Sequence, residues 1–270
     1  MSKLVRDLMH TGLITCKADA TLGQVAVLLD QHQVHALVVA DRDGRPIGII
    51  SDLDLMAGEW LSSDEESLKV MRGLTASDLM TQPIDMVEAN VPISEAVNLL
   101  IEKHVSRLLV TEKGKPVGII SLSDFIASLA EKAQAGRNTV ADVMSDAILV
   151  CRGKTPLVSA ARAMTSAGWR SVLVVNAKGK ILGVVSGLDL LPYVKDGVDE
   201  KLVVRDVMHP AITIDMHASL QEAAKLMIEN HYHRLVVIDK EDPEAFPLGA
   251  ISTFDIVAAM ARSDSVWQKP

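Results

Sequence analysis

The sequence predicts a mixed α/β protein built from four copies of one β-α-β-β-α unit, and three observations carry that prediction. First, Val5-Arg6-Asp7-Leu8-Met9 returns as Ala76-Ser77-Asp78-Leu79-Met80, Val140-Ala141-Asp142-Val143-Met144 and Val204-Arg205-Asp206-Val207-Met208. The methionines stand 71, 64 and 64 residues apart, a period that fits one supersecondary unit. Second, each copy is followed by the same order of hydrophobic patterns. Third, each copy closes on Gly-apolar-apolar-Ser-x-x-Asp.

Within a unit, a short β-like run comes first: Leu13 to Thr15, Ile84 to Val87, Ile148 to Val150 and Ile212 to Ile214. A helix follows, opened by Ser, Thr or Pro and marked by apolar residues at i, i+3, i+4 and i+7. These are Leu22, Val25, Ala26 and Leu29; Ile93, Ala96, Val97 and Leu100; Leu157, Ala160, Ala161 and Met164; Leu220, Ala223, Ala224 and Met227. Two Val- and Ile-rich runs then read as buried strands. They are Leu37 to Val39 with Ile47 to Ile50, Leu108 to Val110 with Val117 to Ile120, Val172 to Val175 with Ile181 to Val185, and Leu235 to Ile238 with Leu248 to Ile251. A second helix begins near Asp54, Asp124, Asp189 and Asp255, and Pro192 is expected to shorten it in the third copy.

The chain therefore divides into units at 1–61, 76–132, 140–195 and 204–262. An acidic polar linker occupies 62–75, holding the run Ser62 to Ser67, with linkers at 133–139 and 196–203 and a tail at 263–270. A unit of about 60 residues has a thin core, so neighbouring units should pack together, as two pairs.

Composition narrows the function. Apolar residues make up 49% and aromatics 3%, so the core must be Val, Ile, Leu, Ala and Met. A formal charge of −8 argues against a nucleic-acid or anionic-membrane surface, though it leaves room for a small basic pocket. No stretch is apolar enough to span a bilayer, and Met1 to Asp7 form no apolar h-region. Cys16 and Cys151 fall at the same repeat position, which predicts two buried strand-end thiols and no bridge. The expectation is a cytoplasmic protein.

The closing motif has two readings. Its copies run Gly48 to Asp54, Gly118 to Asp124, Gly183 to Asp189 and Gly249 to Asp255. Ser at the N-cap with an acid three residues on is a capping box, stabilising by about 1 kcal/mol. Yet the acid is Asp each time, where Glu or Gln is the usual partner. A base also precedes the second strand in every unit: His35, Arg107, Arg170 and the pair His233-Arg234. A carboxylate suits the hydroxyls of a ribose, and a Ser hydroxyl at a helix N-terminus beside Arg or His suits a phosphate. Together these residues carry the chemistry of a nucleotide site.

With these motifs the chain resembles a protein made only of CBS domains, the modules named after cystathionine β-synthase, in two tandem pairs. It is similar to the gamma subunit of AMP-activated protein kinase and to archaeal four-CBS proteins. The resemblance implies pseudo-twofold pairs forming a flat disc, with adenine nucleotides between paired units. It implies ribose contacts at Asp54, Asp124, Asp189 and Asp255. Phosphate contacts are implied at Ser51, Ser121, Ser186 and Ser252, helped by His35, Arg107, Arg170, His233 and Arg234. Adenine is implied near the backbone of Ile14, Ile84, Ile148 and Ile212. His35-Ala36 makes the first site a weaker and pH-sensitive phosphate site, and the longer connection Asp239 to Pro247 reshapes the fourth.

The reading is a sensor of AMP, ADP or ATP that modulates a partner protein, with no required cofactor and no catalysis. S-adenosylmethionine, a cyclic dinucleotide or a ligand-free scaffold stand as alternatives, and a homodimer is left open. His231-Tyr232-His233 and His32 with His35 lack the further ligands of a metal site, so none is expected. No nucleophile elbow, P-loop or dinucleotide loop occurs.

Overall fold

Each repeat starts its first helix where a polar or proline residue can stop the preceding strand. A computed structural model describes residues 3–55, 73–130, 138–190, 201–241 and 246–261. The helices run Leu22–His32, Ile93–Glu102, Leu157–Ala167 and Leu220–Asn230. Thr21 closes the first with a capping box: its hydroxyl accepts from Gln24 N at 3.3 Å, and Gln24 Oε1 accepts from Thr21 N at 2.9 Å. Ser219 accepts from Glu222 N at 3.1 Å in the same way. The predicted apolar stripes face inward, with Val25, Leu29, Ala96, Leu100, Ala161, Met164, Ala223 and Ala224 fully or almost fully buried.

The strands form four small sheets of one design. In the first, β2 (Thr15–Lys17) lies parallel to β3 (Ala36–Ala40), which runs antiparallel to β4 (Pro46–Ser51). The same order joins β5 (Met86–Glu88), β6 (Arg107–Glu112) and β7 (Lys115–Ser121), with the short strand β1 (His10–Thr11) added antiparallel to β7. It recurs in β8 (Val150–Arg152), β9 (Ser171–Val175) and β10 (Ile181–Ser186), and in β11 (Thr213–Asp215), β12 (Arg234–Ile238) and β13 (Gly249–Ser252). The first strand of each repeat starts one to two residues later than its apolar run predicts. Ile14 O already accepts from Val38 N at 3.0 Å, but the regular parallel ladder begins only at Thr15.

The chain divides into two compact units. Unit one holds Met1–Gly12, Asp85–Ile148 and Ile212–Pro270; unit two holds Leu13–Ile84 and Leu149–Ala211. Unit one thus carries the bodies of repeats two and four, and unit two those of repeats one and three. In unit one, Phe125, Ile126 and Leu129 of the helix Leu122–Ala130 share a core with Leu220, Ala223, Met227, Ile256 and Val257. In unit two, Leu53 of repeat one packs on the core of repeat three, and Leu188 of repeat three packs on that of repeat one.

Tandem neighbours are tied differently, by an exchange of the Asp-x-Met segments. Val5 N and Arg6 N, in the leading segment of repeat one, donate to Val91 O and Ala89 O of repeat two at 3.0 and 2.9 Å. Ala76 N and Ser77 N return the contact to Ala20 O and Ala18 O at 2.8 and 2.9 Å. Repeats three and four do the same through Val140 N to Ala218 O and Val204 N to Thr155 O, both 2.9 Å. The motif Asp shapes each leading turn from within: Asp7, Asp78, Asp142 and Asp206 accept from the backbone N–H three residues earlier at 2.7 to 3.1 Å.

Cys16 and Cys151 oppose Val39 and Val174, the same register position, and neither is bridged. Cys16 is buried as expected, whereas Cys151 is only half-buried. The charge run Ser62 to Ser67 and Pro192 lie outside the described residues. So do 242–245 of the long connection in repeat four and most of the linker and tail residues.

Candidate functional site: four Ser-x-x-Asp clefts

The closing motif makes the capping geometry that its bland reading predicts. Ser51, Ser121, Ser186 and Ser252 each donate both backbone N–H and hydroxyl to one carboxylate oxygen, Oδ2 of Asp54, Asp124, Asp189 and Asp255. The distances run from 2.6 to 2.9 Å. Asp is short enough to close this ring, so the cap alone accounts for Asp in place of Glu. The other oxygen, Oδ1, remains as an acceptor. In repeat two it is 2.7 Å from Nδ1 of His10. Among the described residues, no base lies within ion-pair distance of Asp54 or Asp255.

His10 reaches Asp124 because the leading segment of one repeat crosses the closing strand of its neighbour. The residue after each motif methionine pairs with the first apolar residue after each motif glycine. The pairs are His10 with Ile119, Thr81 with Ile49, Ser145 with Ala250 and His209 with Val184. The crossing explains the glycine. A Cβ at Gly118, Gly183 or Gly249 would meet the carbonyl oxygen of His10, His209 or Ser145 at 2.1, 2.5 or 2.4 Å, and one at Gly48 would meet Met80 Sδ at 2.3 Å. A side chain there would push the segment off the strand.

The crossing segments bring a different residue to each motif strand: Thr81 in repeat one, His10 in two, His209 in three and Ser145 in four. Sequence reasoning missed these residues, although their place directly after the repeated methionine was a usable signal. His209 Nε2 stands 3.1 Å from Asp189 Oδ2. That hydrogen bond outweighs desolvation and raises the imidazole above its ordinary range. Burial pushes Asp189 upward, but bonds from His209 and Ser186 prevail and hold it below the usual carboxylate range.

The basic residues fall into two register positions. Arg107 and Arg234 lie directly across the strand pair from Ser121 and Ser252, where Ala36 and Ser171 stand opposite Ser51 and Ser186. His35, Arg170 and His233 occupy the position one residue earlier, marked by carbonyls that accept from Asp52 N, Gly187 N and Thr253 N at 3.1, 3.1 and 3.0 Å. Side chains one residue apart on a strand point to opposite faces, so the two sets are not interchangeable.

Asp52 gathers two of them. This acid, 2% exposed, is a residue that sequence reasoning passed over. Its carboxylate lies 3.1 Å from His35 Nδ1 and 3.0 Å from Arg170 Nη1, and it also accepts from Leu53 N at 2.9 Å. Burial pushes Asp52 upward, but the His35 hydrogen bond and the Arg170 charge prevail and hold it below the ordinary range. In unit one, His233 Nδ1 lies 3.5 Å from the hydroxyl of Ser123.

The positions implied for adenine are not in one register. Ile14 and Ile212 accept from Val38 N and Val236 N at 3.0 Å, but their counterparts in repeats two and three are Asp85 and Leu149, at 3.0 and 2.8 Å. Ile84 and Ile148 therefore stand one residue too early. The slip arose because apolar character alone aligned these runs, whereas the ladder aligns them by pairing. With Asp85 and Leu149 in place, every cleft lies within one unit. Among the described residues there is no group of three or more His, Cys, Asp or Glu able to hold a metal. None of the described helices is long and apolar enough to cross a membrane.

Residues 5–58, 76–131, 140–196 and 204–262 each match the CBS domain family. The chain belongs to the CBS domain family. This CBS protein is 28% identical over 271 residues to the uncharacterized protein MJ1404 of Methanocaldococcus jannaschii, covering 93% of the present chain. It spans only 62% of that relative's length. Among solved structures, protein MJ1225 of the same organism, whose description relates it to g-AMPK, superposes with a TM-score of 0.83 at 18% identity. That match covers 95% of this chain and 99% of the other. An uncharacterized conserved protein of Pyrococcus horikoshii superposes with a TM-score of 0.66 at 23% identity, with the same coverage. Both likenesses speak to the CBS fold.

Proposed function

We propose that this CBS protein is a regulatory sensor that binds adenine nucleotides, AMP, ADP or ATP, and thereby alters its contact with a partner protein. The observation that carries the reading is the Ser-x-x-Asp carboxylate: one oxygen is held by the cap and the other faces outward from it as an acceptor, met in repeat two by His10 from the segment that the neighbouring repeat contributes. A ribose presents two hydroxyl donors to such an acceptor, and a carboxylate bonds them more strongly than a neutral group does. Arg107 and Arg234, across from Ser121 and Ser252, supply the phosphate readers. The adenine ring would rest against the first-strand backbone at Ile14, Asp85, Leu149 and Ile212. The cytoplasm suits a chain whose two thiols are unbridged. On this reading the chain needs no cofactor and catalyses no reaction.

A thermal-shift panel with AMP, ADP and ATP on the full chain tests it. A nucleotide at 100 times its Kd should stabilise by about 2.7 kcal/mol, an easily measured rise in Tm. Replacing Asp255 by Ala should then weaken binding by about tenfold or more in calorimetry. Absence of any shift with all three nucleotides would overturn the proposal.

A further inference from the structure

Of the four motif carboxylates, Asp124 alone is buried, its side chain 4% exposed, whereas Asp54, Asp189 and Asp255 are half-buried. On Asp124 both oxygens are engaged. Oδ2 holds the cap from Ser121, and Oδ1 lies 2.7 Å from Nδ1 of His10. A carboxylate only accepts, so Nδ1 carries the proton of that bond. His209 differs, since it meets Oδ2 of Asp189, the oxygen that the cap of Ser186 already uses. Repeat four, in the same unit as repeat two, serves as the comparison. It has the same ring between Ser252 and Asp255 and an arginine across from the serine. Its crossing residue, however, is Ser145, whose hydroxyl accepts from Ala147 N at 3.3 Å.

We propose that His10 is a latch on the ribose site of repeat two: its imidazole occupies the oxygen that a ribose needs, and a nucleotide enters only by turning it out. The inference rests on the nucleotide reading above and adds an order of filling to it. An oxygen that is both engaged and covered is not competent to bind, and apparent affinity falls with the fraction of chains in which it is open. The side chain of His10 is 82% exposed, so the ring swings into water without disturbing the core. Its backbone stays anchored meanwhile. His10 and Thr11 pair with Ile119 and Gly118, and Gly12 N donates to Val117 O at 3.0 Å. The exposed partner limits the strength of the pair, which makes the latch reversible and worth about five- to tenfold in affinity. The two clefts of unit one therefore fill in sequence, repeat four first and repeat two at a higher nucleotide concentration. One chain then responds over a wider range than a single site does.

Photolabelling of the full chain with increasing 8-azido-AMP, followed by peptide mapping, reads each cleft through its first-strand position. In the wild type, the peptide around Asp85 should reach half-maximal labelling at a higher probe concentration than the peptide around Ile212. His10→Ala should lower the half-maximal concentration at Asp85 by about five- to tenfold and leave that at Ile212 unchanged. His10→Asn keeps a donor at the place of Nδ1 and should stay near the wild type, whereas a loss of packing alone would move both variants alike. No change at Asp85 in His10→Ala would overturn the latch and leave nucleotide binding standing. So would weaker labelling there, which would make His10 a ligand contact instead. If neither peptide labels in the wild type or in His10→Ala, the nucleotide reading falls and takes the latch with it. Should His10→Ala fail to fold, as lost labelling at Ile212 alone would show, the wild-type order decides: equal or reversed half-maximal concentrations overturn the proposal.

Discussion

Gly183→Ala should loosen the crossing that builds the cleft of repeat three. The added Cβ would lie 2.5 Å from the carbonyl oxygen of His209 and 3.3 Å from Met208 Cγ and Sδ. A side chain could move aside, but the carbonyl belongs to backbone that is itself bonded to the strand. Val184 N donates to His209 O at 2.9 Å and His209 N to Val184 O at 3.0 Å. Losing both bonds costs about 1–3 kcal/mol. The smaller entropy of an unfolded chain with Ala in place of Gly returns about 0.4–1 kcal/mol. A net destabilisation centred on about 1.3 kcal/mol remains, before any effect on the His209–Asp189 pair. Urea unfolding of the full chain measures it, with Gly153→Ala as control, since a Cβ there meets Arg205 Cβ at an ordinary 3.4 Å. Equal midpoints for the two variants would refute the steric account of the motif glycine.

The His209–Asp189 pair should make stability depend on pH in a defined direction. The folded pKa of His209 is raised, so its contribution is full below the unfolded value of about 6.5 and fades as pH rises through the folded value. The folded pKa of Asp189 is lowered, so its contribution is present above the ordinary unfolded value of 3.8 and fades as pH falls through the folded value. His209→Gln should therefore cost most near about pH 5–6 and progressively less in alkali; a cost that grows with pH would sink the assignment. Cys16, whose thiol burial pushes up to about 11, should alkylate more slowly with iodoacetamide at pH 8 than half-buried Cys151, as read by mass spectrometry. Faster modification of Cys16 would contradict its burial. Phe125→Ala, at a side chain 1% exposed in the core of unit one, should destabilise by about 3–5 kcal/mol in the same urea assay.

Much of the protein was legible in one dimension because its signals are local. The 3.6-residue spacing of Leu22, Val25, Ala26 and Leu29 depends only on which side of a helix faces apolar neighbours, and all four are buried. Thr21 and Ser219 announce helix starts through bonds that span three residues. The Ser-x-x-Asp ring is likewise closed within four residues, so its shape follows from the motif itself. The register of Ile84 and Ile148 was misread because strand pairing is set by a partner 24 residues from Asp85 and from Leu149, which an apolar run cannot indicate.

By itself the sequence determined the fourfold β-α-β-β-α architecture and the four capped carboxylates, through short-range periodicity and capping chemistry repeated at a fixed interval. Only the tertiary structure decided which residues share a cleft. The exchange of leading segments brings His10 to Asp124 and His209 to Asp189 across long stretches of chain. The packing of alternate repeats brings Arg170 to Asp52, 118 residues away, and engages two bases that sequence reasoning had assigned to phosphate. Charge acts over ångströms of space, and one dimension carries no record of which charges the fold will set side by side.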